Sequence, residues 1–160
     1  MANEVKWVLG SATTAISHAA TLANAANTYE GLTGCTHTAV DNSTTKYPDA
    51  LFVLNITDTF AAAPTAGGTI DVYRTAYDID GTTDETPIPG ASDITYLGKY
   101  VGSFVIDNQD VATIKPLVVI GCLYGISSAK FNLVNSTGQQ ISYASTATTL
   151  KVTPLSVMPS

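Results

Sequence analysis

One stretch of the sequence places four acidic side chains close enough together to hold a cation. The dipeptide Asp80-Gly81 lies among these acids, which are Asp78, Asp80, Asp84 and Glu85. Carboxylate oxygens at such spacing suit Ca²⁺. The twelve-residue calcium-loop pattern fails, however, because Gly81 comes two positions early and the final position carries no acid. The stretch is therefore a calcium candidate, and a solvated turn with Asp80-Gly81 at its tip is the alternative that the pattern favours.

The histidines and cysteines are the other reactive groups. His18 and His37 are too far apart in sequence for a local metal pair. Cys35 and His37 lie two residues apart and could form a metal site or a nucleophile–base pair, with a half-buried histidine as the alternative. Cys35 and Cys122 match neither a disulfide framework nor a metal spacing, so we expect small buried residues and leave their pairing open. Nucleophile-elbow, phosphate-loop and dinucleotide motifs are missing from the sequence, and we expect no enzyme, cofactor or metal.

Tyrosines offer a different kind of chemistry. The sequence has eight of them, and aromatic rings with a polar tip can stack on sugars. Strands that carry tyrosines are also typical of subunit interfaces, so both interpretations stay open. The tyrosines considered for a sugar platform are Tyr73, Tyr77, Tyr96, Tyr100 and Tyr124.

The composition narrows the class of partner. Charged residues make up 12% of the 160 residues, and the net charge is −6. The seven Lys and Arg residues are never adjacent, which argues against phosphate recognition and nucleic acid. No window reaches the roughly 18 apolar residues of a membrane span, and the first residues lack a signal-peptide pattern. We therefore expect synthesis in the cytoplasm and a charge-poor surface suited to protein contacts.

The elements that must position these side chains are predicted to be strands. Alternating or β-branched segments are separated by turn dipeptides and by loops with Gly and Pro. The run Leu117–Ile120 is predicted to be buried, and Pro116 indicates an edge or a bulge. A helix over Ala15–Asn27 competes with an extended arm, because Thr and Ser are weak helix formers. The predicted strands are Val5–Leu9, Thr36–Val40, Leu51–Thr57, Thr69–Tyr77, Tyr96–Ile106, Thr113–Ile120, Lys130–Val134 and Thr148–Thr153.

This spacing predicts an all-β, single-domain antiparallel β-sandwich, jelly-roll-like or Ig-like. The predicted organisation is an N-terminal arm or short helix over residues 1–28, the sandwich over residues 29–153 and a C-terminal tail over residues 154–160. Asn135 and Gly138 are expected to make a turn, because Gly tolerates positive φ and Asn caps the turn locally.

Several of these segments together resemble a known family. They are SATTAISHAATLANAANTYEG, VDNSTTKYPDALFVLNIT, APTAGGTIDVYRTAYDIDGTTDE, YVGSFVI, AKFNLVNSTGQQIS and TLKVTP. Their order is similar to that of virion structural proteins of about 150 residues in tailed bacteriophages, and it covers about residues 10–153. Cys35, Cys122 and the Pro-rich tail depart from the family pattern.

The resemblance implies a capsid decoration or cement protein on the virion surface. Its partners would be the major capsid protein and copies of itself, with a trimer suggested by symmetry. Alternatives are a tail tube, a head-fibre base, a glycan- or receptor-binding module, a pilin-like or surface-layer subunit and a small hydrolase. The contacts are expected in the N-terminal segment, the tail and the tyrosines. The interface candidates are Trp7, Ile16, Leu22, Tyr73, Tyr77, Tyr100, Leu155 and Val157.

Overall fold

Strands with alternating apolar residues account for most of the fold. The computed structural model describes residues 5–29, 31–76, 98–109 and 111–159. These residues contain ten strands and no helix. The strands are β1 (Val5–Leu9), β2 (Thr13–His18), β3 (Cys35–His37), β4 (Val40–Asp41), β5 (Asp49–Ile56), β6 (Thr69–Ala76), β7 (Lys99–Val105), β8 (Thr113–Val119), β9 (Ser128–Ser136) and β10 (Thr148–Pro159).

The strands form two antiparallel sheets. The larger sheet has the order β3-β2-β10-β5-β8, and β1 pairs with the end of β10 beyond this path. The smaller sheet has the order β4-β9-β6-β7. Strands β5 to β10 alternate between the sheets except at β6 and β7, which are neighbours in the smaller sheet. The predicted all-β, antiparallel β-sandwich is therefore confirmed.

The core lies between the two sheets because one face of each strand is apolar. In β5 the inward residues, from Ala50 to Ile56, alternate with half-buried outward ones. Phe52 of β5 meets Phe131 of β9 edge-to-face, with ring centroids 5.2 Å apart. Both rings are fully buried, and fully burying such a side chain stabilises a fold by about 1.5–3 kcal/mol. This pair therefore joins the two layers at their centre.

A buried asparagine organises the turn after β9. The Asn135 side-chain amide donates to the Leu22, Ala23 and Gln139 carbonyls at 3.1, 3.2 and 2.7 Å. Its side-chain oxygen accepts from the Thr137 amide and hydroxyl at 3.2 and 2.7 Å. Gly138 follows with φ 81°, a backbone conformation that favours glycine. The predicted turn is present, and its asparagine also ties the segment after β2 to β9.

The N-terminal segment was expected to be an arm or a helix, and this was wrong. β2 pairs with both β3 and β10 inside the larger sheet. Ala15 and Ile16 are fully buried, so they belong to the core. In the structure this segment, with its small residues around Ile16 and His18, is a strand. Its sequence did not reveal this, because Thr, Ala and Ser carry little of the apolar periodicity that identifies strands.

The C-terminal tail was also predicted incorrectly. β10 continues without a break to Pro159, and residues Leu155–Pro159 pair with β1. Leu155 is almost completely buried. The boundaries at residues 28 and 154 therefore do not separate arms from a domain. β2, before residue 28, pairs with β3 after it in the same sheet, and β10 runs across residue 154.

Candidate docking surface

The outward side of β8, together with Leu51 and Val53 of the neighbouring β5, is apolar where a sandwich surface is usually polar. Ile114 and Val118 are 66% and 46% exposed, and Ile120, directly after β8, is 82% exposed. The outward residues of β5 beside them, Leu51 and Val53, are half-buried. We call this surface the β8 face; it comprises Leu51, Val53, Ile114, Pro116, Val118 and Ile120. Contiguous exposed apolar surface of this kind marks interaction sites.

Position in the sheet explains why these side chains are exposed. β8 is the edge strand of the larger sheet, and its pairs place Val118 beside Leu51 and Pro116 beside Val53. Pro116 has no amide hydrogen, so at that position the strand cannot donate to another strand. The structure therefore favours association through the side chains of this face over the addition of a strand to its edge.

The prediction of a buried strand at Leu117–Ile120 was wrong for its even-numbered positions. Leu117 and Val119 contact the core, whereas Val118 and Ile120 are exposed. A run of apolar residues without alternation is expected of a strand buried on both faces. The sequence signal that could have corrected this prediction is Pro116, which indicates an edge strand.

Charge is nearly absent from the β8 face. Lys115, on the other side of the strand, is paired with Asp107 at 2.6 Å. Lys151 of β10 lies opposite Val53 in the sheet, at the border of the face. Exposed ion pairs contribute little to stability, so the apolar side chains dominate what this surface can bind.

A two-stranded ribbon extends the larger sheet. Among the described strands, β1 pairs with the end of β10 alone, with Trp7 opposite Val157. Trp7 and Leu9 are 56% and 58% exposed. The Gly10 amide donates to the Pro154 carbonyl at 2.7 Å and fixes the base of the ribbon. An isolated two-stranded ribbon is only marginally stable in water, so this element gains from a partner surface.

The eight residues predicted as interface contacts differ in their position and exposure. Trp7 and Tyr100 are exposed and Tyr73 is half-buried, on two different sheets. Ile16, Leu22 and Leu155 are buried in the chain's own interior, so they are corrected to core residues. Val157 lies in β10 opposite Trp7. The eighth candidate, Tyr77, lies outside the described residues, as do Tyr96 and the calcium candidates Asp78, Asp80, Asp84 and Glu85.

The smaller sheet brings together two of the predicted tyrosines. Tyr73 and Tyr100 are paired residues of β6 and β7, and their rings meet edge-to-face at 5.5 Å. Tyr124 is exposed in the turn after β8. Tyr100 and Ile120 line one small cavity of about 130 Å³, so Tyr100 approaches Ile120 of the β8 face at the side of the sandwich.

Cys35 and His37 form a hydrogen bond within β3, and His37 also bonds to β9 of the smaller sheet. His37 Nδ1 donates to the Phe131 carbonyl at 3.0 Å. In the neutral imidazole Nε2 is then the acceptor, and it lies 3.3 Å from Cys35 Sγ, which donates to it. Burial raises the pKa of Cys35 to about 12, so the thiol stays protonated at neutral pH. A protonated thiol is a poor nucleophile.

The remaining reactive candidates are also dispersed. Cys35 and Cys122 are both free, and burial raises the pKa of Cys122 to about 11. Within residues 5–29, 31–76, 98–109 and 111–159, no three His, Cys, Asp or Glu side chains are placed to hold a metal ion. In the same residues no helix is long and apolar enough to cross a membrane.

A polar cleft of about 420 Å³ lies between the base of the ribbon and the loop after β4. Asp41 is the one carboxylate in its lining, and hydrogen bonds from Ser43 lower the pKa of Asp41. Asn42 beside it is occupied by backbone groups of Tyr47 and Ile126. The cleft therefore lacks the paired acid and base that proton-transfer catalysis uses.

No model of a known protein family matches the chain, and no curated protein matches its sequence. The class that the fold and the surface define is a two-sheet, all-β sandwich with an uncovered apolar sheet face and a two-stranded ribbon.

Proposed function

We propose that this chain is a structural subunit of a tailed-phage virion, a decoration protein that binds the assembled head through its β8 face. The observation that carries the proposal is the β8 face itself, an exposed apolar surface on an edge strand. Its three most exposed aliphatic side chains, Ile114, Val118 and Ile120, lie on or directly after one strand. The resemblance of the sequence to phage virion proteins supports the same conclusion.

Hydrophobic burial would supply the binding free energy. Removing apolar surface from water stabilises a complex by about 25 cal/mol for each Å². A standard interface buries about 800 Å² on each partner. The β8 face and the ribbon would contribute exposed apolar side chains to it, among them Trp7 and Leu9. A shell that binds many copies is stabilised by mass action.

The charge distribution fits a protein partner. The chain has a net charge of −6, which repels nucleic acid. The outward β8 residues Ile114, Pro116 and Val118 are uncharged, so binding there does not require water to be removed from charged groups of this chain. Interface cores are depleted in charged residues for this reason.

The proposal is tested by adding charge to the face. In the double variant Ile114→Lys, Val118→Lys, two ammonium groups would be buried on docking. We expect at least about a tenfold loss of affinity for empty heads of the parent phage, measured by cosedimentation. The matched control is Thr149→Lys on β10, in the same sheet but two strands away from β8.

Folding and docking are separated by circular dichroism, because all exchanged residues are exposed or half-buried and the variants should keep the wild-type spectrum. Full occupancy of heads by the folded double variant would contradict docking through the β8 face. If the wild-type chain itself ignores heads, the decoration role is rejected. The alternatives are then another virion component, such as a tail tube or a head-fibre base.

A second candidate function is a glycan- or receptor-binding module of the virion. The observation that favours it is the Tyr73–Tyr100 pair, which belongs to the smaller sheet, whereas the β8 face belongs to the larger one. A glycan array probed with the purified chain distinguishes this function from shell binding.

A further inference from the structure

The outer surface of the smaller sheet combines aromatic rings with an ordered set of hydroxyls. Asp71 of β6 is paired with Ser103 of β7, and the next outward pair along the two strands is Tyr73 with Tyr100. Ser136 of β9 contacts Asp71 from the other side. We call this surface the tyrosine face; it comprises Asp71, Tyr73, Tyr100, Ser103 and Ser136.

A hydrogen bond fixes the Tyr100 side chain along its own strand. Its hydroxyl lies 2.7 Å from Ser103 Oγ, three residues further along β7, so both ends of the side chain are fixed to the same strand. Tyr73 contacts the ring from β6, with centroids 5.5 Å apart. The ring nevertheless remains 54% exposed. An aromatic surface that is fixed before binding loses little conformational entropy when a ligand stacks on it.

Asp71 supplies acceptors beside this ring. Ser103 Oγ donates to one carboxylate oxygen at 2.5 Å, and Ser136 Oγ donates to the other at 2.9 Å. Each carboxylate oxygen can accept two hydrogen bonds, so each has one acceptor position left. Burial, then the charge of Asp71, raises the pKa of Tyr73, which keeps its hydroxyl protonated as a donor.

Space for a ligand continues from Ser136. A cavity of about 410 Å³ is lined by Val134, Ser136 and the loop over residues 65–68. Gly67 forms part of this lining and is exposed, so the backbone is accessible there. The cavity and the tyrosine face share Ser136, and together they are large enough for more than one sugar ring.

We propose that the tyrosine face binds a neutral saccharide, with one pyranose ring stacked on Tyr100 and its hydroxyls bonded to Asp71 and Ser136. Sugar rings present apolar C–H faces to aromatic rings and hydroxyls to acceptors, which is the pattern of groups found here. A negatively charged sugar would be repelled by Asp71. This inference rests on the glycan-binding candidate function and names its ligand class. It is independent of the docking of the chain to a shell, because it uses the outer surface of the other sheet.

The test measures binding of neutral oligosaccharides of glucose, galactose, mannose and N-acetylglucosamine by saturation-transfer NMR and titration calorimetry. At least one of these should bind. Tyr100→Ala should weaken that binding by about tenfold, and Tyr100→Phe should weaken it less because the ring remains. Tyr124→Ala is the matched control, since it removes an exposed tyrosine from another surface.

The same experiment shows how many sugar rings the site binds. Binding of a free monosaccharide with the affinity of its polymer indicates a single-ring site, and tighter binding of the polymer indicates that the cavity beside Ser136 is also used. Absence of binding to all four sugar series, or unchanged binding by folded Tyr100→Ala, would overturn the proposal. Asp71→Asn should reduce sugar binding and leave occupancy of heads unchanged, which separates this inference from the proposed docking.

Discussion

At the residue scale, the Asn135 side chain makes more hydrogen bonds than the side chains of the catalytic candidates Cys35 and His37. The fully buried Asn135 makes five hydrogen bonds to the segments before and after it. Removing its side chain leaves the buried Thr137 amide without its acceptor and takes one donor from each of three carbonyls. An unsatisfied buried group costs about 1–3 kcal/mol.

We therefore expect Asn135→Ala to lower the free energy of unfolding by about 3 kcal/mol, measured by urea denaturation. Asn55→Ala is the control, because Asn55 is half-buried on the outward side of β5, where substitutions typically change stability by about 0.5 kcal/mol or less. Equal effects of the two substitutions would show that the Asn135 bonds do not stabilise the fold.

His18 gives the fold a dependence on pH. Its ring is 1% exposed in β2, and burial lowers the pKa of His18 from 6.5. The nearby charge of His37 lowers it further, while the Thr21 backbone opposes part of the change. His18 accepts a proton more readily in the unfolded chain than in the folded one. The contribution of His18 to stability is therefore complete above pH 6.5 and is lost as the pH falls below that value.

The measurement is the free energy of unfolding of wild type and His18→Gln between pH 7.5 and pH 4.5. Wild type should lose more stability than His18→Gln as the pH falls, because the glutamine cannot titrate. Since the other groups are the same in both proteins, the difference isolates His18. Parallel curves for the two proteins would contradict the lowered pKa.

At the element scale, regular alternation could be predicted and its exceptions could not. β5 and β6 alternate large apolar residues with polar or half-buried ones, so their sequences identify them. β2 is built from Thr, Ala, Ser and His around Ile16, and its burial depends on β3 and β10 on both sides. A contact that is distant in sequence decides its conformation, and a local pattern does not contain that information.

Two deletions should separate the ribbon from the sandwich. Removal of residues 1–9 takes away β1 alone, and the remaining chain should keep its β-sheet spectrum and cooperative melting. Removal of residues 1–18 also takes away β2 with the buried Ala15 and Ile16, and this chain should not fold. Thermal melts followed by circular dichroism provide the comparison, and a folded product of the longer deletion would show that β2 is dispensable.

At the scale of the whole molecule, the sequence predicted the low charge but not where the apolar surface lies. Trp7 was predicted as a contact because it lies in the N-terminal segment, and Tyr100 because tyrosines on strands are typical of interfaces. Ile114, Val118 and Ile120 were not, because an apolar run is expected inside a protein. Only the position of β8 at the sheet edge, set by its pairing with β5, turns half of that run outward.

The same distribution of charge predicts how docking should respond to salt. An interface held by ion pairs weakens as salt screens them, with a Debye length of about 3 Å at 1 M. The β8 face has no charged residue among its outward β8 positions, Ile114, Pro116 and Val118, so its association depends on burial of apolar surface. Sulfate strengthens such burial because it is excluded from protein surfaces.

We therefore expect occupancy of phage heads to be unchanged between about 0.05 and 1 M sodium chloride, and to rise in sodium sulfate. Cosedimentation at each salt concentration measures this, with the double variant Ile114→Lys, Val118→Lys as the reference for lost docking. Release of the wild-type chain by sodium chloride would mean that charged residues outside the β8 face hold it to the shell. In that case charged residues elsewhere on the chain would be the contact, and the apolar face would serve another partner.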